Sequence, residues 1–338
     1  MSSKNMKILV TGVAGFLGSH LSEKLVEMGH QVVGIDNMLG GYNDNVPKNI
    51  QFHEVDCCDF EKIKKLMKGI DVVYHCAATA HEGLSVFSPF EITKNNYLAS
   101  VSIFSAAVNE KVKRIIFCSS MARYGSQEYP FTETMKPKPV DPYAISKVAA
   151  EQVLINLCEL NKIEWVIAVP HNIIGPRQKY DDPFRNVVSI MINRMMQGKA
   201  PIIYGDGEQT RCFSYIDDCL SCLIPMLDEK KLNKQIINIG PDEEFVTINK
   251  VAELCSNVTG INLPPIYKKD RPQEVKHAIC SADKARQLLN YKTKVSLKEG
   301  IQRTFEYIKK RGVKPFEYHI NLEINNDLTP DTWKKKEI

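Results

Sequence analysis

Six short runs rich in Val and Ile recur through the first half of the chain, each separated from the next by polar or helically spaced residues. They are KILV (7–10), QVVGID (31–36), IQFHEVD (50–56), DVVYHCAA (71–78), RIIFCSS (114–120) and EWVIAVP (164–170). Near-continuous apolar strands are covered on both faces, and strands that alternate with helices form parallel sheets. The intervening segments LGSHLSEKLVEMG, NNYLASVSIFSAAVNEK (95–111) and PYAISKVAAEQVLINLCELN (142–161) have the spacing of helices. The expected fold class is α/β, a Rossmann-type doubly wound parallel sheet. Beyond Pro170 the pattern loosens around one helix, RNVVSIMINRMMQG, within 175–210. A helix at 217–227 and a strand IINIG at 236–240 resume the series. Residues 246–312 read as small helices and one short strand, and 315–338 as a surface-hugging arm or a frayed end.

Composition removes several function classes. The 44 basic and 40 acidic residues leave a net charge of +4, without the basic footprint of a nucleic-acid binder. No apolar run approaches the roughly 18 residues of a membrane span. MSSKNMKILVTG runs directly into the first strand without the apolar core of a signal peptide. The ten cysteines fit reduced thiols and a cytoplasmic location. The single C-x-x-C, Cys219–Cys222, has no second pair, so no metal site is expected.

The string TGVAGFLG sets Gly12, Gly15 and Gly18 between the first strand and the first helix. Glycines there allow a tight turn and bring backbone N–H groups to a pyrophosphate at the helix N-terminus. Asp36 ends the second strand, where a carboxylate accepts ribose hydroxyls and repels a 2′-phosphate. Asn37, not arginine, follows it, so NAD is the expected cofactor. Asp56, ending the third strand, is a candidate adenine contact. The 338 residues exceed one comfortable core of about 150. They divide into an NAD-binding domain (1–176 plus about 210–245), a smaller C-terminal α/β substrate-binding cap (about 177–209 plus 246–315), and an arm, 316–338.

Tyr143 and Lys147 form Y-x-x-x-K on one face of the helix after the fifth strand. An ammonium beside a phenol is expected to lower the tyrosine pKa and supply a general base. The fifth strand ends in Ser119–Ser120, where a hydroxyl meets ligands of a parallel sheet.

These motifs together resemble the extended short-chain dehydrogenase/reductase family, and within it the nucleotide-sugar 4-epimerase branch, over about residues 6–312. The matching strings include TGVAGFLG, GIDN, HCAA (75–78), CSSMARYG (118–125), DPYAISK (141–147), HNIIGPR (171–177), IIYGDGEQTRCFSYIDD (202–218) and DRPQEVKHA (270–278). The resemblance implies that Ser120, Tyr143 and Lys147 are catalytic. It puts Phe16, Leu17, Asn37, Cys57, Ala77, Ala78, Asn96 and Pro170 along the cofactor, with Tyr143 and Lys147. It implies a UDP-sugar substrate contacted by Ser120, Tyr143, Asn172, Asn186, Val187, Ile202 and Tyr204. Arg211 and Arg271 match a diphosphate clamp, Glu274 a ribose contact, and Ala278 a position beside the sugar. A small residue there leaves room for a 2-acetamido group, so the expected substrates lean to UDP-N-acetylglucosamine and UDP-N-acetylgalactosamine, with UDP-glucose and UDP-galactose also considered.

Met121 and Ala122 stand where related dehydratases carry an Asp-Glu pair and decarboxylases a glutamate. The expected reaction is therefore 4-epimerisation through a 4-keto intermediate with no net redox change. His81, Glu82 and Arg123 depart from the pattern. His81 and Glu82 raise an alternative, dehydration or epimerisation at another carbon. A non-catalytic NAD sensor is a third reading, disfavoured by the intact Ser120, Tyr143 and Lys147. The resemblance also implies a homodimer joined through a four-helix bundle built from 95–111 and 143–161.

Overall fold

The computed structural model describes residues 5–338. Seven strands form one parallel sheet: β1 (Lys7–Thr11), β2 (Gln31–Asp36), β3 (Gln51–Glu54), β4 (Val72–His75), β5 (Arg114–Cys118), β6 (Glu164–Pro170) and β7 (Gln235–Ile239). Their order is β7–β6–β5–β4–β1–β2–β3. The order reverses between β1 and β4, and the crevice at the carboxyl ends of those strands is where such sheets bind ligands. The main helices are α1 (Phe16–Glu27), α2 (Phe60–Leu66), α3 (Ala99–Asn109), α4 (Pro142–Asn161), α5 (Val187–Met196), α6 (Ile216–Leu223), α7 (Ile248–Thr259) and α8 (Leu297–Arg311).

Strand side chains alternate between two cores. Leu9, Ile115, Phe117 and Ile167 pack with Phe104 of α3 and Leu154 of α4. Ile8, Val10, Ile116 and Val166 pack on the other face with Leu21 and Leu25 of α1 and Leu220 of α6. Two strands are shorter than their apolar runs, for a hydrogen-bonding reason. After Glu54 the chain turns at Asp56, whose carboxylate accepts the Cys58 N–H at 2.8 Å. After His75 the N–H groups of Cys76 and Ala77 leave the ladder and donate to the Thr11 hydroxyl at 3.1 and 2.9 Å.

The smaller lobe packs Ile192 of α5, Val251 of α7 and Ile301 of α8 into one cluster. Residues 246–312 hold three short strands, not one. Val246–Thr247 and His277–Ala278 flank Thr210–Arg211, and Ile266–Lys268 pairs with Ile202–Tyr204. Ladders of two or three residues carry no periodicity of their own; their partners upstream in the chain create them.

The C-terminal segment is a packed strap, not a frayed end. The Glu323 carboxylate accepts the Phe90 and Glu91 N–H groups, both at 2.9 Å. Trp333 is buried, its ring edge-on to Phe87 and Phe184 with centroids 5.9 and 5.4 Å apart. Trp333→Ala is expected to cost about 3–5 kcal/mol of folding stability, the cost of truncating a buried aromatic. Urea unfolding checks this, and a variant as stable as the parent contradicts the packed strap.

Candidate active site

A cavity of about 480 Å³ opens at the switch point and runs from the glycine turn to the smaller lobe. Its first half is built by backbone. Gly12 has φ +77°, and a Cβ there would meet the Ala77 backbone at 3.0 Å. A Cβ on Gly18 would lie 2.2 Å from the Gly12 carbonyl oxygen. Gly15 caps α1 without any side-chain acceptor, so the first N–H groups of α1 remain available to an anion. Asp36 accepts the Ala14 and Met38 N–H groups at 2.9 and 2.8 Å, which fixes a carboxylate that still has lone pairs for hydroxyls. Asn37 bonds Asp56 at 3.3 Å. Phe16, Leu17, Cys57, Ala77, Ala78 and Pro170 line this half as well. The cradle fits a dinucleotide.

Asn96, expected along the cofactor, is buried behind the cavity lining, and its amide bonds the Thr79 backbone in both directions, at 2.9 and 3.0 Å. A π-helical turn at Lys94–Leu98 shifts the helical register, and Asn95 faces the cavity instead.

Helix α4 sets the reactive pair. Asp141 caps it, accepting the Ala144 N–H at 2.9 Å, and Pro142 occupies its first turn. Tyr143 and Lys147 are both buried on the face that meets the carboxyl end of β5. Lys147 donates to the Cys118 carbonyl at 2.9 Å. The Ser120 hydroxyl accepts the Ala122 N–H at 3.2 Å and stands near enough to the Tyr143 phenol to favour its ionised form. The expected lowering of the tyrosine pKa is absent. Burial pushes Tyr143 up to about 12, with Ser120 and Arg185 opposing it. Burial also brings Lys147 down to about 8, so the amine carries less than a full charge near neutrality.

The second half of the cavity belongs to the smaller lobe. Asn172 (φ 41°) donates to the Cys212 carbonyl at 2.9 Å, and Asn186 (φ 67°) caps α5. Val187, Ile202, Tyr204 and Ala278 line the wall. Arg211 and Arg271 converge, as two guanidinium groups aimed at one anion would. Glu274 sits between them, held by Arg271 at 2.9 and 3.0 Å and by Arg211 at 3.6 Å. Glu274, expected at a ribose, thus gives both oxygens to Arg271. The Arg271 guanidinium lies over the Tyr204 ring, 4.9 Å from its centroid.

The three departures separate. Arg123 stays out of the cavity: it is buried against Glu151 of α4, with contacts of 2.9–3.2 Å, and stacks on Tyr124. Glu151 also accepts the Ser119 hydroxyl, so this ion pair anchors the loop that presents Ser120. Glu82 does line the cavity, solvent-exposed at its rim, and enclosure by the cavity walls with the Asp141 charge nearby raises its carboxyl above the ordinary range. His81 lines it too, bonded to Asp182 at 2.7 Å. Asp182, Arg185 and His319 also line the cavity and were not singled out by sequence. The only hint was the charge-rich DDPFRN string before α5; His319 carried none.

Lys147 yields a pH prediction. Its folded value of about 8 lies below its ordinary 10.5, so the folded protein binds fewer protons in that interval. Its contribution to stability is complete above about 10.5 and falls as the pH drops through 8. NMR titration of the protein carrying 13Cε-labelled lysine, assigned with Lys147→Arg, should show one resonance with a midpoint near 8. A Lys147 midpoint near 10.5 contradicts the burial argument.

Comparison with known proteins agrees with this geometry. Residues 8–240 match the NAD dependent epimerase/dehydratase family. The UDP-glucose 4-epimerase of Thermotoga maritima, solved with UDP-glucose, shares 34% identity and a TM-score of 0.85, covering 90% of this chain and 99% of its own. The UDP-glucuronic acid 4-epimerase of Bacillus cereus, solved with UDP-glucuronic acid and NAD, shares 31% identity and a TM-score of 0.84, covering 91% and 100%. A UDP-N-acetyl-alpha-D-glucosaminuronate decarboxylase of Bacillus cytotoxicus is 31% identical over 320 residues, 90% of this chain and 98% of the decarboxylase. With a parallel seven-stranded sheet, a glycine cradle suited to NAD and relatives that span nearly its whole length, the chain belongs to the NAD-dependent epimerase/dehydratase family of the extended short-chain dehydrogenase/reductases.

Proposed function

We propose that the chain is an NAD-dependent 4-epimerase of a UDP-hexose, with UDP-N-acetylglucosamine and UDP-N-acetylgalactosamine as the favoured pair. The observation that carries this is the set of half-buried Ser120 and buried Tyr143 and Lys147 at the switch point, facing a cavity that continues to two convergent arginines. When bound, NAD supplies a hydride acceptor and a formal positive charge. With that charge beside it and Lys147 nearby, the Tyr143 phenol, neutral in the unliganded protein, would ionise and then take the proton of the sugar 4-hydroxyl as the C4 hydride leaves, with Ser120 orienting it. The 4-keto sugar turns over and is reduced on its other face, so no net redox change occurs. Arg211 and Arg271 hold the diphosphate while the hexose turns, a positioning role for a remote group.

Ala278 supports the N-acetylated sugars, because a methyl side chain on the cavity wall leaves space beside C2. Met121 and Ala122 line the cavity at the dehydratase and decarboxylase positions and offer no acid or base. One observation favours a second reading. The Glu82 carboxyl, in the same cavity and raised in pKa, is suited to proton transfer at another carbon. Leu98, Ile145 and Leu160 are 53%, 53% and 78% exposed along the α3–α4 flank, which supports a homodimer through these helices. Ten free cysteines support a cytoplasmic location.

A panel of UDP- and GDP-hexoses read by NMR tests the proposal. The parent enzyme should interconvert one C4 pair without accumulating NADH absorbance. Tyr143→Phe should lose about 10²–10⁴ in kcat while still binding the sugar nucleotide. Full activity in Tyr143→Phe refutes the mechanism. Loss of water from the sugar by mass spectrometry, or inversion at another carbon by NMR, abolished in Glu82→Gln, establishes the second reading in its place.

A further inference from the structure

Three side chains from distant parts of the chain meet on the cavity wall. His81 follows β4, Asp182 precedes α5, and His319 comes from the C-terminal strap. Their ligating atoms lie within 4.8 Å of one another. His81 Nε2 stands 2.7 Å from Asp182 Oδ2, and His319 Nε2 stands 3.7 Å from the same oxygen. All three side chains are at most 8% exposed.

The hydrogen bonds in this cluster do not close. Asp182 Oδ1 accepts the Phe184 N–H at 2.9 Å. Its Oδ2 faces only the two imidazoles, and among the described residues no lysine or arginine pairs with this carboxylate. His319 Nδ1 lies 3.2 Å from the Glu317 carbonyl oxygen, which can only accept, so Nδ1 carries the proton. In the neutral ring, Nε2 is then a bare lone pair, buried, without a hydrogen-bond partner, and aimed at a carboxylate oxygen. Two lone pairs face each other there, which is unfavourable unless a proton or a metal ion lies between them.

We propose that His81, Asp182 and His319 form a site for a divalent transition metal of the zinc class, open to the substrate cavity. Two imidazoles and one carboxylate suit zinc, cobalt or iron and not magnesium or calcium. A tetrahedral ion with bonds of about 2.0–2.1 Å sets its ligands roughly 3.3 Å apart, and the 2.7 and 3.7 Å separations bracket that spacing. The backbone carbonyl behind His319 is the usual partner that orients a ligating imidazole. Three protein ligands leave a position open, and the cavity is the space it faces. No cysteine takes part, so the cysteine spacing that argued against a metal does not bear on this cluster.

The test is metal uptake, which is independent of epimerase activity. The full chain is stripped with EDTA and titrated with Co²⁺, with visible absorption and equilibrium dialysis as readouts. One equivalent should bind and give the intensified bands of a low-coordinate ion. Zn²⁺ should displace it. His319→Ala and Asp182→Asn should each weaken binding by about a hundredfold or more, while His53→Ala on β3 binds like the parent. Near-UV circular dichroism of Trp333 shows that the variants keep the strap packed. Absence of a stoichiometric ion in the parent, or equal binding by His319→Ala, overturns the proposal. So does an imidazolium at His81 or His319 at neutral pH by 15N NMR with no metal uptake.

Discussion

The crevice exists because one hydroxyl holds β1 and the chain after β4 in register while their backbones part. Thr11 Oγ1 accepts the N–H groups of Cys76 and Ala77 and donates its own proton to His75 Nδ1 at 2.8 Å. His75 is fully buried, and burial, with Lys147 adding to it, brings its pKa down to about 3, so the ring is neutral and Nδ1 can accept. Its Nε2–H then donates to Ser100 at 2.9 Å, and Ser100 to the Asn96 carbonyl. Such a chain polarises each member in one direction. It begins beside the glycine turn and ends at the π-helical turn whose Asn96 side chain fixes Thr79. The loop carrying His81 and Glu82 follows directly, so cofactor cradle and sugar pocket share one frame.

Burial is the second organising force. Tyr143 and Lys147, both buried, shift toward their neutral forms. The site therefore holds its protons close to neutrality, and introduced charge changes its balance strongly. Arg211, Arg271 and Glu274 show the converse: their charges are kept by pairing one carboxylate between two guanidinium groups. A diphosphate arriving there meets donors already oriented, and repositions Glu274 instead of ordering loose side chains.

Local patterns were legible in the sequence, and distant ones were not. The apolar runs gave the sheet strands because each run is long enough to bury itself. The glycine turn, Asp36 and the Tyr143–Lys147 pair were readable because their spacing is fixed by one turn or one helix. The tyrosine pKa was not, because it depends on how much protein covers the phenol. The π-helical turn that puts Asn95 at the cavity wall and Asn96 against the Thr79 backbone has no signature in the residue spacing. The two- and three-residue ladders of the smaller lobe, and the arrival of His319 and Trp333 at the cavity end, depend on contacts across most of the chain. Arg123 was read as a departure near the chemistry, yet its pairing with Glu151 makes it a support for the Ser120 loop.

The central claim is that hydrogen leaves C4 and returns to C4 without passing through water. A UDP-hexose carrying deuterium at C4 tests it directly. The expected product is inverted at C4 and retains the deuterium, with no uptake of solvent deuterium at carbon when unlabelled sugar reacts in D2O. Washout of the label, or solvent deuterium appearing at a neighbouring carbon of the product, would contradict it.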